Sequence, residues 1–219
     1  MPDVARLYAE TRERMSSLVS DADGAVVVPA CPAWTVKDVL AHVTGVCADI
    51  LAGRLDGVAT EAWTQRQVDE RSSRSVAKIV AEWNEVAPQV EAICSNFGGV
   101  EVQWLMDTVT HEHDVRGALD KPGARDAEGL ALGLEWLTMN IGQDVAAVRI
   151  QTLEGDDLVM GKGEPNATVS AARFDMLRAV TGRRSEEQIA SFHWDGDYRC
   201  HLEAFRQGPF EIASSSIYE

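Results

Sequence analysis

CPAWTVKDVLAHV, residues 31–43, gathers the signals that begin a helix into a few positions. Thr35 fits the N-cap, where a hydroxyl accepts from a backbone N–H that has no partner within the helix. Asp38, three residues later, comes close to completing a capping box, and Trp34 and Val39 occupy the two positions of a hydrophobic staple. Beyond them Val39, Leu40, Val43, Val46, Cys47 and Ile50 keep helical spacing. Gly53 and Gly57 allow the helix to end near residue 52. Two reactive side chains stand by this entrance, Cys31 just before it and His42 two turns into it.

Outward from this helix the pattern is mostly helical. Residues 2–21 show helical spacing at Val4, Leu7, Tyr8, Met15 and Leu18, and residues 75–96 at Val76, Ile79, Trp83, Val86, Val90 and Ile93. Gly98 and Gly99 precede another helix over 101–119, and Pro122 and Gly123 one over 127–147. TQRQVDERSSRS, residues 64–75, reads as a short helix with an exposed turn. The character changes at residue 148: VRIQTL, DDLVM and ATVSA read as short strands separated by Gly155, Gly161, Gly163 and Pro165, followed by the helical AARFDMLRAV. The expectation is a mainly α chain with a small α+β part: a helical bundle over residues 1–147, then a small α/β domain over 148–219.

The 219 residues carry 35 acidic side chains against 20 Lys and Arg, a formal net charge of −15. Such a surface repels phosphate backbones and anionic lipid, so neither nucleic acid nor membrane is expected as a partner. No apolar run reaches the roughly 20 residues a membrane span needs, and the charged, amphipathic N-terminus lacks a signal-peptide core. A cytoplasmic location is the expectation. Cys31, Cys47, Cys94 and Cys200 are widely spaced with no CxxC pair, which points to reduced thiols.

The second notable stretch is DTVTHEHDVRGAL, residues 107–119. On a helix Asp107 and His111 share a face, with Asp114 and Ala118 on the same side, while His113 turns towards Leu105, Val109 and Arg116. An Asp-x-x-x-His pair offers an oxygen and an imidazole nitrogen to one metal ion. His42, at the edge of its own apolar stripe, is the candidate third ligand from a facing helix. Two His and one Asp leave a coordination position open, as in catalytic sites, and Asp114 then orients His111 from outside the ligand set. Spacing alone ranks a plainer account first, in which the histidines are hydrogen-bonded structural residues and the Asp-His pair serves charge pairing on a helix face.

At these residues the sequence resembles the mycothiol-dependent maleylpyruvate isomerase-like family of the DinB-like superfamily of four-helix bundles. CPAWTVKDVLAHV resembles the family's first signature and MDTVTHEHDVRGAL its second. GEPNATVSAARFDMLRAVTGRRS, with WDGD after it, resembles the family's small α/β domain. The likeness runs over residues 3–210. It implies a divalent metal, usually zinc, held by His42, Asp107 and His111, with Asp107 standing where better-known members carry Glu. It also implies a role in substrate handling for an Arg of the C-terminal domain, for which Arg183 and Arg184 are the candidates.

The resemblance implies a thiol chemistry as well. A low-molecular-weight thiol, mycothiol in the family, loses its proton at the metal and attacks a small electrophile. Reversible attack on an activated alkene gives cis–trans isomerisation, and irreversible attack gives an S-conjugate. A non-catalytic metal- or ligand-binding module and a metal-free scaffold are the competing readings. Cys31 near a helix N-terminus reads as a packed loop residue, Trp34 as staple and core, and RQVDERSSRS as a solvated segment.

Overall fold

The computed structural model describes residues 3–219. The chain divides into two compact units, one ending at Gly123, to which Glu219 also belongs, and one running from Ala124 to Tyr218.

The first unit contains α1 (Val4–Leu18), α2 (Val36–Ala52), α3 (Glu61–Asp69), α4 (Val76–Glu91) and α5 (Glu101–Ala118). The four long helices close a ring, α1 against α5 and α4, and α2 against α4 and α5, while the short α3 packs on α2. One polar-aromatic cluster draws a residue from each long helix. Tyr8 of α1 stacks on Trp104 of α5 with ring centroids 3.5 Å apart. Its hydroxyl accepts from Trp83 Nε1 of α4 at 3.0 Å and lies 3.1 Å from Cys47 Sγ of α2. Burial pushes the Cys47 thiol up to about 12, which makes it a packing group rather than a nucleophile. Beside this cluster, the buried Glu112 of α5 accepts from Arg14 of α1 at 2.7 Å and from Arg116 at 2.9 Å.

The start of α2 follows from its sequence. Asp38 N donates to Thr35 Oγ1 at 3.3 Å, and Thr35 N donates to Asp38 Oδ2 at 2.9 Å, so the capping box is complete. At the other end Gly53 takes φ 66°, a left-handed geometry that a side chain disfavours, and its N–H caps Asp49 and Ile50 carbonyls.

The second unit holds α6 (Glu128–Asn140), β1 (Val148–Thr152), β2 (Asp157–Met160), β3 (Thr168–Ala171), α7 (Arg173–Val180), α8 (Glu186–Ala190), β4 (His193–Asp195) and a 3₁₀ stretch, Tyr198–Phe205. The sheet order is β2-β1-β3-β4, with β1 antiparallel to β2, parallel to β3, and β3 antiparallel to β4. Val148, Ile150 and Thr152 are buried while Arg149 and Gln151 are exposed, the alternation of a sheet with one covered face.

The mainly α chain with a small α+β part is therefore present. The structure also differs from the sequence reading in places. The helix expected over 127–147 ends at Asn140, ahead of Gly142, which takes φ 73°. The strands begin at Val148, but the second compact unit begins at Ala124, because α6 packs on α7 and β2. The sheet also has a fourth strand, β4, in which Trp194 is anchored by Nε1 donating to the Ile189 carbonyl at 2.9 Å. Among the described residues no helix is long and apolar enough to cross a membrane.

The capping box sets a stability prediction. Thr35→Ala should cost about 1 kcal/mol in a urea melt, as loss of an N-cap does, whereas Thr35→Ser should stay near wild type. An unchanged midpoint for the alanine variant would contradict this account of the α2 entrance.

Candidate metal centre

The histidine on α2 and the acid-histidine pair on α5 converge. His42 Nε2 lies 3.3 Å from Asp107 Oδ2, and His111 Nε2 lies 3.6 Å from Asp107 Oδ1. One ligand atom from each residue falls within 4.8 Å of the other two. The imidazole rings stand nearly perpendicular, 83° apart, with centroids separated by 5.2 Å.

Two readings bear on these spacings. A direct N–H···O hydrogen bond has its donor and acceptor about 2.9 Å apart. Two ligand atoms each about 2.05 Å from a tetrahedral zinc ion stand about 3.3 Å from one another. The 3.6 Å from His111 is too long for a hydrogen bond and close to the co-ligand value, while the 3.3 Å from His42 is within reach of a hydrogen bond and at the co-ligand value. Two nitrogens and one oxygen also form a donor set that zinc accepts. The residues present fit a divalent ion.

Each imidazole is held from behind through Nδ1. His111 Nδ1 lies 2.8 Å from Asp114 Oδ2, and His42 Nδ1 lies 2.8 Å from Gln67 Oε1. Asp114 and Gln67 are both buried. Burial alone would pull the His42 pKa down. The charge of Asp107 and the hydrogen bonds to Asp107 and Gln67 outweigh it, so the pKa is raised.

Several residues read one way in the sequence stand elsewhere in the structure. Cys31, expected as a packed loop residue, sends its Sγ to Asp114 Oδ2 at 3.4 Å. Cys31, His111 and Asp114 form a second group with metal-ligand spacing. Its 2.8 Å contact between His111 and Asp114 is a hydrogen-bond length, short for co-ligands of one ion. Trp34, expected as staple and core, is half-buried with its ring centroid 5.3 Å from that of His42 and 5.9 Å from that of His111. It forms a wall of the candidate site, and the buried Trp63 meets His42 edge-on at 6.4 Å. RQVDERSSRS is not simply solvated, since Gln67 and Arg71 within it are buried. His113 is buried apart from either group. In the second unit Arg184 bonds Asp175 Oδ1 at 2.8 Å and lies over the Phe174 ring, while Arg183 donates to the Thr181 carbonyl.

Gln67 is the site neighbour that the sequence reading missed. One signal for it existed. Gly45 sits inside α2, where glycine costs about 1 kcal/mol relative to alanine, and a Cβ there would come within 2.5 Å of Gln67 Cβ. The glycine marks where α3 and this glutamine side chain press against α2.

The raised His42 pKa fixes the sign of a pH effect. Ligation needs the neutral imidazole, so protons compete with metal below that pKa. Zinc affinity, measured by chelator competition across pH, should fall by about tenfold per unit or more on the acid side of the raised His42 pKa, since two imidazoles must both lose their protons. A flat profile would contradict ligation by His42.

No protein-family model matches the chain, and no curated protein matches it. Two solved structures do. A histidine-to-alanine mutant of the mycothiol-dependent maleylpyruvate isomerase superposes with a TM-score of 0.56 at 11% identity, over 89% of this chain and 93% of that one. The unmutated enzyme superposes with a TM-score of 0.53 at 13% identity, over 85% and 91%. The chain is thus similar in fold to the mycothiol-dependent maleylpyruvate isomerase along most of its length.

Proposed function

We propose that the protein is a cytoplasmic, metal-dependent transferase or isomerase that uses a low-molecular-weight thiol as nucleophile on a small electrophile. The observation that supports this most is the convergence of His42 Nε2 and His111 Nε2 on Asp107, at distances that suit ligands of one ion. The fold likeness supports mycothiol as the thiol. Zinc is the ion proposed, since it accepts this donor set. A divalent ion held there supplies Lewis acidity, which lowers the pKa of a thiol at the open position.

The chain's own residues set the rest. Two neutral imidazoles and one carboxylate leave a divalent ion with net positive charge, which favours an anionic sulfur over a neutral one. The Asp107 side chain is 33% exposed while the imidazoles are nearly covered, so solvent and a small thiol reach the site from the Asp107 side. Trp34 covers part of both imidazoles and narrows the approach. The thiolate forms a carbon–sulfur bond to the electrophile. The alkene π bond opens as it forms, leaving a carbanion stabilised by the activating group. Where the carbon–sulfur bond breaks again after rotation, the product is the other geometric isomer; where the carbanion instead takes up the proton the thiol released, the product is an S-conjugate.

The shorter side chain of aspartate is no bar to ligation, because Asp107 stands within co-ligand distance of both histidines. Protein purified without a His-tag or chelator should carry about one zinc per chain, the complement of a single site with three protein ligands. His42→Ala should lose most of it. Thiol consumption against a panel of activated alkenes should be metal-dependent and fastest with mycothiol. Equally little metal in wild type and variant would sink the proposal, and metal without any thiol-dependent rate would leave a binding module.

A further inference from the structure

Gln67 lies outside the candidate ligand set but decides how His42 faces it. Its side chain bridges two buried groups, with Oε1 at 2.8 Å from His42 Nδ1 and Nε2 at 2.9 Å from Asp49 Oδ2. Asp49 is fully buried on α2 and sits against two guanidinium groups. Arg54 Nη2 approaches its Oδ1 to 2.7 Å, and Arg66 Nη2 donates to its Oδ2 at 3.0 Å.

Donor and acceptor chemistry then runs in one direction only. A carboxylate between two guanidinium groups only accepts, so the Gln67 amide must turn its NH₂ to Asp49. Its carbonyl oxygen is left for His42 and can only accept, so His42 Nδ1 must carry a proton. The lone pair of the ring is thereby assigned to Nε2, the atom that faces Asp107. We infer that Gln67, oriented by Asp49, is a positioning residue that fixes His42 in its Nδ1–H form and aims Nε2 at the metal position. This rests on the metal reading above.

The local structure is built to hold that amide still. Thr60 caps α3, accepting from Trp63 N at 3.3 Å, and Arg71 Nη1 donates to the Gln67 carbonyl at 3.1 Å. Gly45 leaves room for the Gln67 side chain that no other residue would leave, since an added Cβ would stand 2.6 Å from Gln67 Cγ. The two imidazoles therefore have unlike supports, a carboxylate for His111 and a neutral amide for His42. An amide supplies the acceptor without adding a further negative charge beside Asp107 and Asp114. The negative charge around a divalent ion is then limited to these two carboxylates, which leaves an added anionic thiolate less to oppose it.

The test uses the full chain with zinc and cobalt(II) as probes. Zinc affinity by chelator competition, and the visible ligand-field spectrum of the cobalt form, are compared for wild type, Gln67→Leu, His42→Ala and the exchange Asp49→Asn with Gln67→Glu. Far-UV circular dichroism and thermal melting verify the fold, and Asp49→Asn alone replaces Gln67→Leu if the latter does not fold. Gln67→Leu should bind zinc about 10–100-fold more weakly, the usual effect of removing an orienting partner, and its cobalt spectrum should shift. In the exchange, the amide introduced at position 49 donates to the carboxylate introduced at position 67. The second oxygen of that carboxylate accepts from His42, so affinity and spectrum should return most of the way to wild type. A loss that was merely structural would not be repaired by this exchange. If wild type binds zinc, His42→Ala does not, and Gln67→Leu matches wild type, the positioning role is refuted while the metal reading stands. If wild type and His42→Ala are equally metal-free, the metal reading fails and takes this inference with it.

Discussion

Two imidazoles from different helices are brought to one carboxylate in a largely dry setting, and this sets the terms for the rest of the first unit. His42 and His111 are each about nine-tenths covered or more, and both aim Nε2 at Asp107. Burying polar rings costs several kcal/mol unless their nitrogens find partners. Each ring therefore brings a second buried group with it, Asp114 behind His111 and Gln67 behind His42. These need partners in turn. Asp49 and its two arginines satisfy Gln67, and the Cys31 thiol reaches Asp114. The result is a continuous polar chain from the loop before α2 to its last turn, running through both imidazoles.

Such a chain keeps its geometry only if the helices carrying it are fixed. The Tyr8–Trp83–Trp104–Cys47 cluster joins all four long helices, and Glu112 with Arg14 ties α1 to α5. The precision of the site is inherited from packing that does no chemistry. Chemical roles within the chain also become distinct. Cys47 is sealed in the core with a raised pKa, and Cys31 is engaged with Asp114. Neither protein thiol competes well with an external one for the nucleophilic role. The proposed thiol chemistry is placed beside Asp107 instead.

What could be read from the sequence was what is local. The α2 entrance was legible because cap, box and terminating glycine lie within the helix they define. Asp107 and His111 were legible as a pair because one helical turn puts them on one face. Their meeting with His42 depended on the packing of α2 against α5, which spacing alone left undecided. α5 carries little amphipathic signal because Thr108, Thr110, Glu112, His113 and Asp114 are all buried with the apolar residues. Gln67 was invisible for a related reason: a glutamine in RQVDERSSRS reads as solvent-facing until its partners on α2 are known. Gly45 was the clue, a costly residue inside a helix that otherwise had no need of it. β4 escaped notice because three residues between turns carry too little pattern to read.

The account depends on His42, Asp107 and His111 acting together on one ion. X-ray absorption at the zinc edge, on protein purified without chelator, tests this most directly. The predicted first shell is two imidazole nitrogens and light oxygen donors, each about 2.0–2.2 Å from zinc, with the imidazole signal per zinc halved in His42→Ala loaded with added zinc. A sulfur-dominated shell, or a spectrum unchanged by that substitution, would contradict it.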